Sequence, residues 1–342
     1  MGKNDLKILR TEFFLNGNAF DMWGIRVANA LENDRTAFDL IANMDAYKKY
    51  GINTLAVFLM GGWSGSANPF ECDGSINAKL RGSLTYMGRG DCEEYMYHNQ
   101  YLDRLSAIVE EADARDMVVN VGIFYQMRIN QLSGGDAIRS AVRNVAKWLK
   151  AKEYKNIFMD LVNEYAHNGF KHRNLCYGMK YRGCTDGGEI LIHDFKSILP
   201  DIPVSISGSG FDTEANIMQE YINFSNQDLV LIHSSINPGK IRSETGRQIP
   251  VVCNEWNTAE VFDALQNLGQ WTNKDSEEWE KAFAIIRKGG GKMFIFSFWK
   301  QLINAEGIHF EVGPHGTQPN AERRGEPSDA WMFEMVKKFE SE

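Results

Sequence analysis

No stretch of this 342-residue sequence approaches the ~18 consecutive apolar residues that cross a bilayer. The start, MGKNDLKILRTEFF, also lacks the apolar run of a secretory signal. Basic residues are short as well: 37 Lys and Arg stand against 45 Asp and Glu, a net charge of -8. Nucleic-acid binding draws on a cationic surplus, so that class of partner is not expected. Five cysteines, Cys72, Cys92, Cys176, Cys184 and Cys253, form no CxxC pair and are too few for a disulfide scaffold. Their odd number fits reduced thiols and a cytoplasmic address. Secretion or a periplasmic location would need a signal outside this sequence, and Cys72 with Cys92, or Cys176 with Cys184, could then pair. Also missing are a GxGxxG turn after the first strand, any HxH or HExxH spacing, and a GxSxG elbow. Dinucleotide, metal and serine-nucleophile chemistry thus have no motif, and no cofactor is expected. Neither low-complexity segment nor Pro/Ser-rich linker divides the chain, so residues 1–342 read as a single domain.

What is present is alternation. Short β-rich apolar runs take turns with helical patterns, the signature of parallel βαβ units. Eight strands are predicted: Phe20–Val27, Asn53–Leu59, Val118–Phe124, Asn156–Leu161, Val204–Ser207, Leu229–His233, Val251–Asn254 and Lys292–Phe298. Helices are predicted between them, the first with an apolar stripe of Phe38, Ile41, Met44 and Tyr47. Others cover Leu102–Ala114, Ala137–Lys150, Glu189–Leu199, Thr213–Phe224, Glu277–Lys288 and Ala330–Glu340. The sixth crossover, Asn237–Arg247, holds Pro238 and two glycines, so its helix is short or missing. Helix-to-strand joints are tight, whereas the strand-to-helix joints after strands two, four and eight are long. In a (β/α)8 TIM barrel, strand-to-helix loops all emerge on the face that carries the active site. The expected fold class is therefore α/β, a (β/α)8 barrel with long loops on one face.

Two glutamates end apolar strands on that face. The fourth strand closes with Asn163 and Glu164, and the seventh with Asn254 and Glu255. A pair of carboxyls about 5–5.5 Å apart serves retaining glycoside hydrolysis, one protonating the leaving oxygen and the other attacking the anomeric carbon. Each glutamate could instead cap a helix or pair with an arginine, and Arg26 on the first strand is available for that or for substrate.

In this arrangement the chain resembles clan A glycoside hydrolases, the (β/α)8 group that includes family 5. The likeness runs in order along nearly the whole sequence. It rests on Asn163-Glu164 and Glu255, on Phe14-Leu15-Asn16-Gly17 with Trp23-Gly24 as the opening strand, on Tyr50-Gly51-Ile52-Asn53, and on Phe296-Ser297-Phe298-Trp299. Departures from family 5 are Val57-Phe58 and Phe124-Tyr125, where an Arg and a His-Asn are usual, and Ser235 two residues after His233. A divergent member is the better description. The resemblance implies Glu164 as acid/base, Glu255 as nucleophile, and Asn163 as a donor to the sugar 2-hydroxyl. It also implies a β-glycosidic oligo- or polysaccharide substrate and no cofactor. Trp299 is the expected sugar platform. His233, Trp63, Tyr125 and Tyr165 are substrate-contact candidates that could equally be packing residues, whereas Trp256 should point away from the site. The basic stretch His167–Arg182 is read as a solvated loop.

Two rival functions stay open on sequence alone. One is a carbohydrate-binding barrel without catalysis, which suits the departures. The other is a lyase or aldolase using Lys300, just past the eighth strand. The sugar, the linkage, endo or exo action and the oligomeric state are not readable.

Overall fold

The structure, a computed structural model, describes residues 2–62, 68–77, 100–126, 128–165, 187–208, 226–256, 273–296 and 329–340. It begins with a small antiparallel sheet of β1 (Leu6–Leu9), β2 (Glu12–Leu15) and β3 (Asn18–Ala19). Asn16 and Gly17 both have positive φ, 54° and 80°, the conformation of a tight hairpin turn that Asn-Gly adopts readily. Phe14–Gly17 therefore belongs to this hairpin and not to the first barrel strand, a correction to the sequence reading.

The hairpin has a purpose in the packing. Leu6, Phe13 and Leu15 alternate onto one face and are buried with Val118, Phe158, Leu229, Val252 and Phe294. Those partners line the barrel interior near the N-terminal ends of its strands. Leu6 N–H donates to Lys155 O just before the fourth barrel strand, at 3.0 Å. The little sheet thus closes the end of the barrel opposite the candidate site.

Eight parallel strands follow: β4 (Trp23–Arg26), β5 (Thr54–Phe58), β6 (Val118–Tyr125), β7 (Ile157–Asn163), β8 (Val204–Ser205), β9 (Val230–Ile232), β10 (Val251–Cys253) and β11 (Lys292–Phe296). Their order is β8-β7-β6-β5-β4-β11-β10-β9, all neighbours parallel. A parallel bridge from Ser207 to Leu231 joins the two ends. The eight expected strands are all found, most of them shorter than expected at one or both ends.

Helices α1 (Asp34–Lys49), α2 (Gln100–Ala114), α3 (Gly135–Lys152), α4 (Gly187–Lys196), α5 (Pro238–Thr245), α6 (Asn273–Lys288) and α7 (Asp329–Glu340) lie between or after strands. The expected helix Thr213–Phe224 lies outside the described residues. In α1, Asn33 and Thr36 form a reciprocal capping box. Its buried stripe is Ala37, Leu40, Met44 and Tyr47. Phe38, expected in that stripe, is exposed. The short sixth crossover is confirmed as the eight-residue α5, which has Pro238 in its first turn, Asn237 capping Gly239 and Lys240 N–H, and Gly246 in the left-handed region after it. Among the described residues no helix is long and apolar enough to cross a membrane.

The barrel core has an inner and an outer layer. Outside, between strands and helices, Trp23 stacks on Phe283, and Trp256 meets Trp279 edge-on with centroids 5.0 Å apart. Trp256 does point away from the site, as strand alternation requires. Inside, Gly24 and Gly122 leave room for aromatic rings. A Cβ at Gly122 would stand 1.9 Å from the Phe58 ring, and one at Gly24 would stand 2.2 Å from that of Phe294.

Candidate active site

Six polar side chains converge where β4, β6, β7, β9 and β10 end. Arg26 is the last residue of β4. Gln126 follows β6, and Asn163 ends β7 with Glu164 next. His233 follows β9, and Glu255 lies two residues beyond β10. All are buried. Strand ends fix them because each backbone is already held in the parallel ladder one or two residues earlier.

Glu164 sits in an unusual backbone state, with φ at 53°. That region is sparsely populated by residues with a Cβ, and its strain persists only where surroundings enforce it. Ser207, just past β8, does so from two sides. Its Oγ accepts from Glu164 N–H at 3.3 Å and its carbonyl accepts from Tyr165 N–H at 3.0 Å. The turn directs the Glu164 side chain across the barrel mouth. Tyr165, a contact candidate, instead accepts from Gly188 N–H at 2.9 Å and holds the start of α4.

The carboxylates are close. Glu164 and Glu255 each bring an oxygen within 4.8 Å of the other and of a ring nitrogen of His233. His233 Nδ1 is 3.4 Å from Glu164 Oε1 and 3.6 Å from Glu255 Oε2. Burial pushes the pKa of this imidazole down to about 4, against the pull of the Glu255 charge. His233 is thus neutral at pH 7.

Arg26 lies against Glu255, with Nη2 2.7 Å from Oε2, and the same nitrogen donates to Asn163 Oδ1 at 2.7 Å. Its guanidinium carbon rides 4.3 Å from the centre of the Phe58 ring. Being wholly enclosed, Arg26 engages the nucleophile candidate and its neighbour, which is the partner role the sequence had offered as one of two. Asn163 Nδ2 donates in turn to Gln126 Oε1 at 2.9 Å, and Gln126 Nε2 donates to Glu164 Oε2. One chain of contacts therefore runs Glu255, Arg26, Asn163, Gln126, Glu164. Tyr125 is buried beside it, and burial together with the Glu164 and Glu255 charges pushes its hydroxyl well up. The ring stays protonated.

Sequence reasoning missed Gln126, and below the pair it missed Asn120, Asp160 and Asn254. Each left a signal: a lone polar residue within or at the end of an apolar strand, on the inward-facing alternation. Trp299, the expected sugar platform, and Trp63, a substrate-contact candidate, lie outside the described residues, as do Lys300, the stretch His167–Arg182, and Cys92, Cys176 and Cys184. Of the other two thiols, Cys72 is exposed and Cys253 is buried.

Glu164, His233 and Glu255 form the one His/carboxylate cluster among the described residues with metal-ligand spacing. The oxygens a metal would need already face the Arg26 cation and the Gln126 amide. The cluster is therefore better suited to proton and covalent chemistry than to a divalent ion.

The fold and this mouth define a TIM-barrel protein with a buried carboxylate pair. No protein-family model and no curated protein match the chain. Solved structures do. It superposes on a glycoside hydrolase family 5 structure from Bacteroides vulgatus with TM-score 0.59 and 11% identity, covering 98% of this chain and 68% of that one. A β-mannanase from the blue mussel Mytilus edulis gives 0.54 and 13%, covering 98% and 96%. The catalytic domain of Thermobifida fusca endoglucanase Cel5A gives 0.53 and 13%, covering 97% and 97%. Of another Bacteroides vulgatus barrel the chain spans 61%. The chain thus shares the barrel fold of glycoside hydrolases, at a sequence distance that makes it divergent from them.

Proposed function

We propose that the chain is a retaining glycoside hydrolase, divergent from family 5 within clan A, in which Glu255 is the nucleophile and Glu164 the acid/base. The carrying observation is the pair of buried carboxylates with oxygens within 4.8 Å of each other at the C-terminal mouth of the barrel. That spacing fits attack by one carboxylate on the anomeric carbon. It is too small for the inverting arrangement, in which a water must sit between groups about 6.5–9.5 Å apart.

The surroundings divide the two roles. Arg26 sets its guanidinium 2.7 Å from Glu255, the carboxylate assigned to attack. The Gln126 amide and the neutral His233 imidazole face Glu164, surroundings that suit it to carrying the proton. In the first step Glu255 attacks, the anomeric carbon–oxygen bond breaks, and Glu164 gives its proton to the departing oxygen. In the second, Glu164 takes a proton from water as the water oxygen displaces Glu255. Asn163 keeps a second amide N–H beyond the one given to Gln126, the donor expected for a sugar 2-hydroxyl. His233 and Tyr125 wall the pair, and Trp299 is the stacking surface assigned to the sugar, with Trp63 a further contact candidate. No cofactor enters.

Two of the structural neighbours are a β-mannanase and an endoglucanase, which supports a β-linked glycan as substrate. The test is turnover of a panel of aryl β-glycosides and β-linked polysaccharides by wild type, Glu164→Gln and Glu255→Gln, with the anomeric configuration of the first product read by NMR. Retention, with a collapse in both variants, is expected. Binding without turnover throughout would replace this reading with a non-catalytic carbohydrate-binding barrel, and inversion would refute the assigned roles.

A further inference from the structure

The hydrogen bonds beside Glu164 run in one direction. Arg26 can only donate, so its bond to Asn163 Oδ1 at 2.7 Å fixes which end of the Asn163 amide faces it. Asn163 Nδ2 then points the other way and donates to Gln126 Oε1 at 2.9 Å. With Oε1 taken, Gln126 turns Nε2 to Glu164 and donates to Oε2. A guanidinium on β4 thus orients two amides in series and, at the end of the series, decides that Glu164 Oε2 faces a donor. All four side chains are buried. Reversing either amide would set donor against donor or acceptor against acceptor away from solvent, a costly arrangement.

The other oxygen of Glu164 has different surroundings. Oε1 lies 3.4 Å from His233 Nδ1, and that nitrogen is 3.6 Å from Glu255 Oε2, so Oε1 opens toward the gap between the two carboxyls. A neutral imidazole nitrogen donates or accepts according to tautomer, and so tolerates Oε1 with or without a proton. The Gln126 N–H has no such freedom: it is met best by a carbonyl or charged oxygen, and it has no lone pair to offer a hydrogen on Oε2. Ser207 holds the backbone at Glu164 and Tyr165. The last side-chain torsion of a glutamate is nevertheless broad and two-fold, so the backbone alone does not choose between its oxygens. Gln126 does.

Resting on the reading of Glu164 as acid/base, we infer that Gln126 is a positioning residue for it: the one-way series from Arg26 keeps the catalytic proton on Oε1, the oxygen that opens toward Glu255, and off Oε2. In the first step the Oε1–H bond breaks as the hydrogen bonds to the departing oxygen, and its electron pair stays on the Glu164 carboxylate. In the second step Oε1 takes a proton back from the attacking water. Oε2 keeps the Gln126 bond throughout. A hydrogen bond to a charged acceptor is stronger than one to a neutral acceptor, so the amide bond tightens as the carboxylate forms and favours release of the proton.

The first test needs no turnover. Neutron diffraction from crystals of the whole chain, exchanged into heavy water and taken to lower pH until Glu164 is protonated, should place its deuteron on Oε1 and direct a Gln126 amide deuteron at Oε2. A deuteron on Oε2, or a Gln126 amide turned the other way, overturns the proposal whatever the enzyme hydrolyses. The second test is kcat/KM across leaving groups, which reports the glycosylation step. Gln126→Glu keeps the shape and the acceptor for Asn163 but, ionised, donates nothing to Glu164. It should lose about a hundredfold on alkyl glycosides, the cost of a catalytic group misplaced by about 1 Å, and far less on dinitrophenyl glycosides, whose leaving group needs no proton. Gln126→Met also frees Asn163 and should add a loss common to both substrate classes. Equal losses on both classes in Gln126→Glu would mean a purely structural role, and full activity on alkyl glycosides would mean that the donor is dispensable; either result refutes the positioning role and leaves the glycosidase reading intact. A wild type inert on every glycoside, with the deuteron on Oε1, would sink the glycosidase reading and leave the proton assignment standing.

Discussion

Arg26 Nη2 stands 2.7 Å from Glu255 Oε2 and 2.7 Å from Asn163 Oδ1, so a single nitrogen from the first barrel strand ties together the ends of the fourth and the seventh. The side chain is wholly buried, and Phe58 backs its plane at 4.3 Å. The pair is thus a piece of barrel closure as much as a piece of the site.

Removing that cation is costly twice over. Arg26→Met leaves Glu255 buried without its counter-charge, a loss on the order of 3–5 kcal/mol when one member of a buried pair is deleted. It also frees Asn163 and Glu255 to shift, and a misplacement of about 1 Å costs roughly a hundredfold in rate. Arg26→Lys keeps the charge but cannot reach both partners from one planar group. Urea denaturation and kcat/KM together should rank wild type above Lys above Met on both measures. A fully active, fully stable Met variant would show that Arg26 does neither job.

The two glutamates are separable by leaving group. A nitrophenolate departs without a proton, whereas an alkoxide does not, so Glu164→Gln should retain far more activity on dinitrophenyl glycosides than on alkyl glycosides or polysaccharide. Glu255→Gln removes the attacking oxygen and should be poor on all of them. Equal losses across leaving groups in Glu164→Gln would remove its role as acid.

This division was partly visible in the sequence, because Glu164 and Glu255 each end an apolar run on a strand that periodicity could place. The eight strands were readable for the same reason: short β-branched runs between tight joints such as Lys49 to Asn53. The N-terminal hairpin was not recognised although Asn16-Gly17 between alternating apolar residues is a hairpin signal; the likeness to an opening barrel strand masked it. Phe38 misled because the true stripe of α1 uses the small Ala37, which weighs little in any apolar count. Contacts such as Arg26 to Glu255 and Asn254 to Asp160 join residues far apart in the chain. Only barrel closure decides which inward-facing polar groups meet, so no local spacing could reveal them.

At the opposite end of the barrel, Asp21 gives stability a pH dependence. Its carboxylate is paired with Arg287 at 2.7 Å and Lys292 at 3.0 Å. Burial works to raise its pKa, but the bonds and charges of those two cations outweigh it and hold the value at about 2. A depressed folded-state pKa stabilises above the unfolded value of about 3.9 and is lost as the pH falls from there through about 2. Half of the side chain is exposed, so screening should leave the contribution near 1 kcal/mol. Asp21→Asn should lower stability at pH 6 by about that amount and flatten the acid limb of the stability curve. An unchanged slope between pH 4 and pH 2 would refute the linkage.

Gly122 connects the core to the chemistry. It lies on β6 opposite Phe58 of β5, and a Cβ there would come within 1.9 Å of the Phe58 ring, closer than any side chain tolerates. Phe58 cannot yield freely, because its ring is fully buried and carries the Arg26 guanidinium on its face. Gly122→Ala should therefore cost about 1–3 kcal/mol as overpacking. Its strain should pass through Phe58 to Arg26 and so to Glu255, lowering kcat more than it raises KM. Phe58→Leu in the same chain removes the clashing ring edge and should return part of the lost stability while leaving Arg26 without its aromatic support. The double variant would then be more stable than Gly122→Ala alone but no more active. Full recovery of both together would mean that Phe58 fills space and does not hold Arg26 in place.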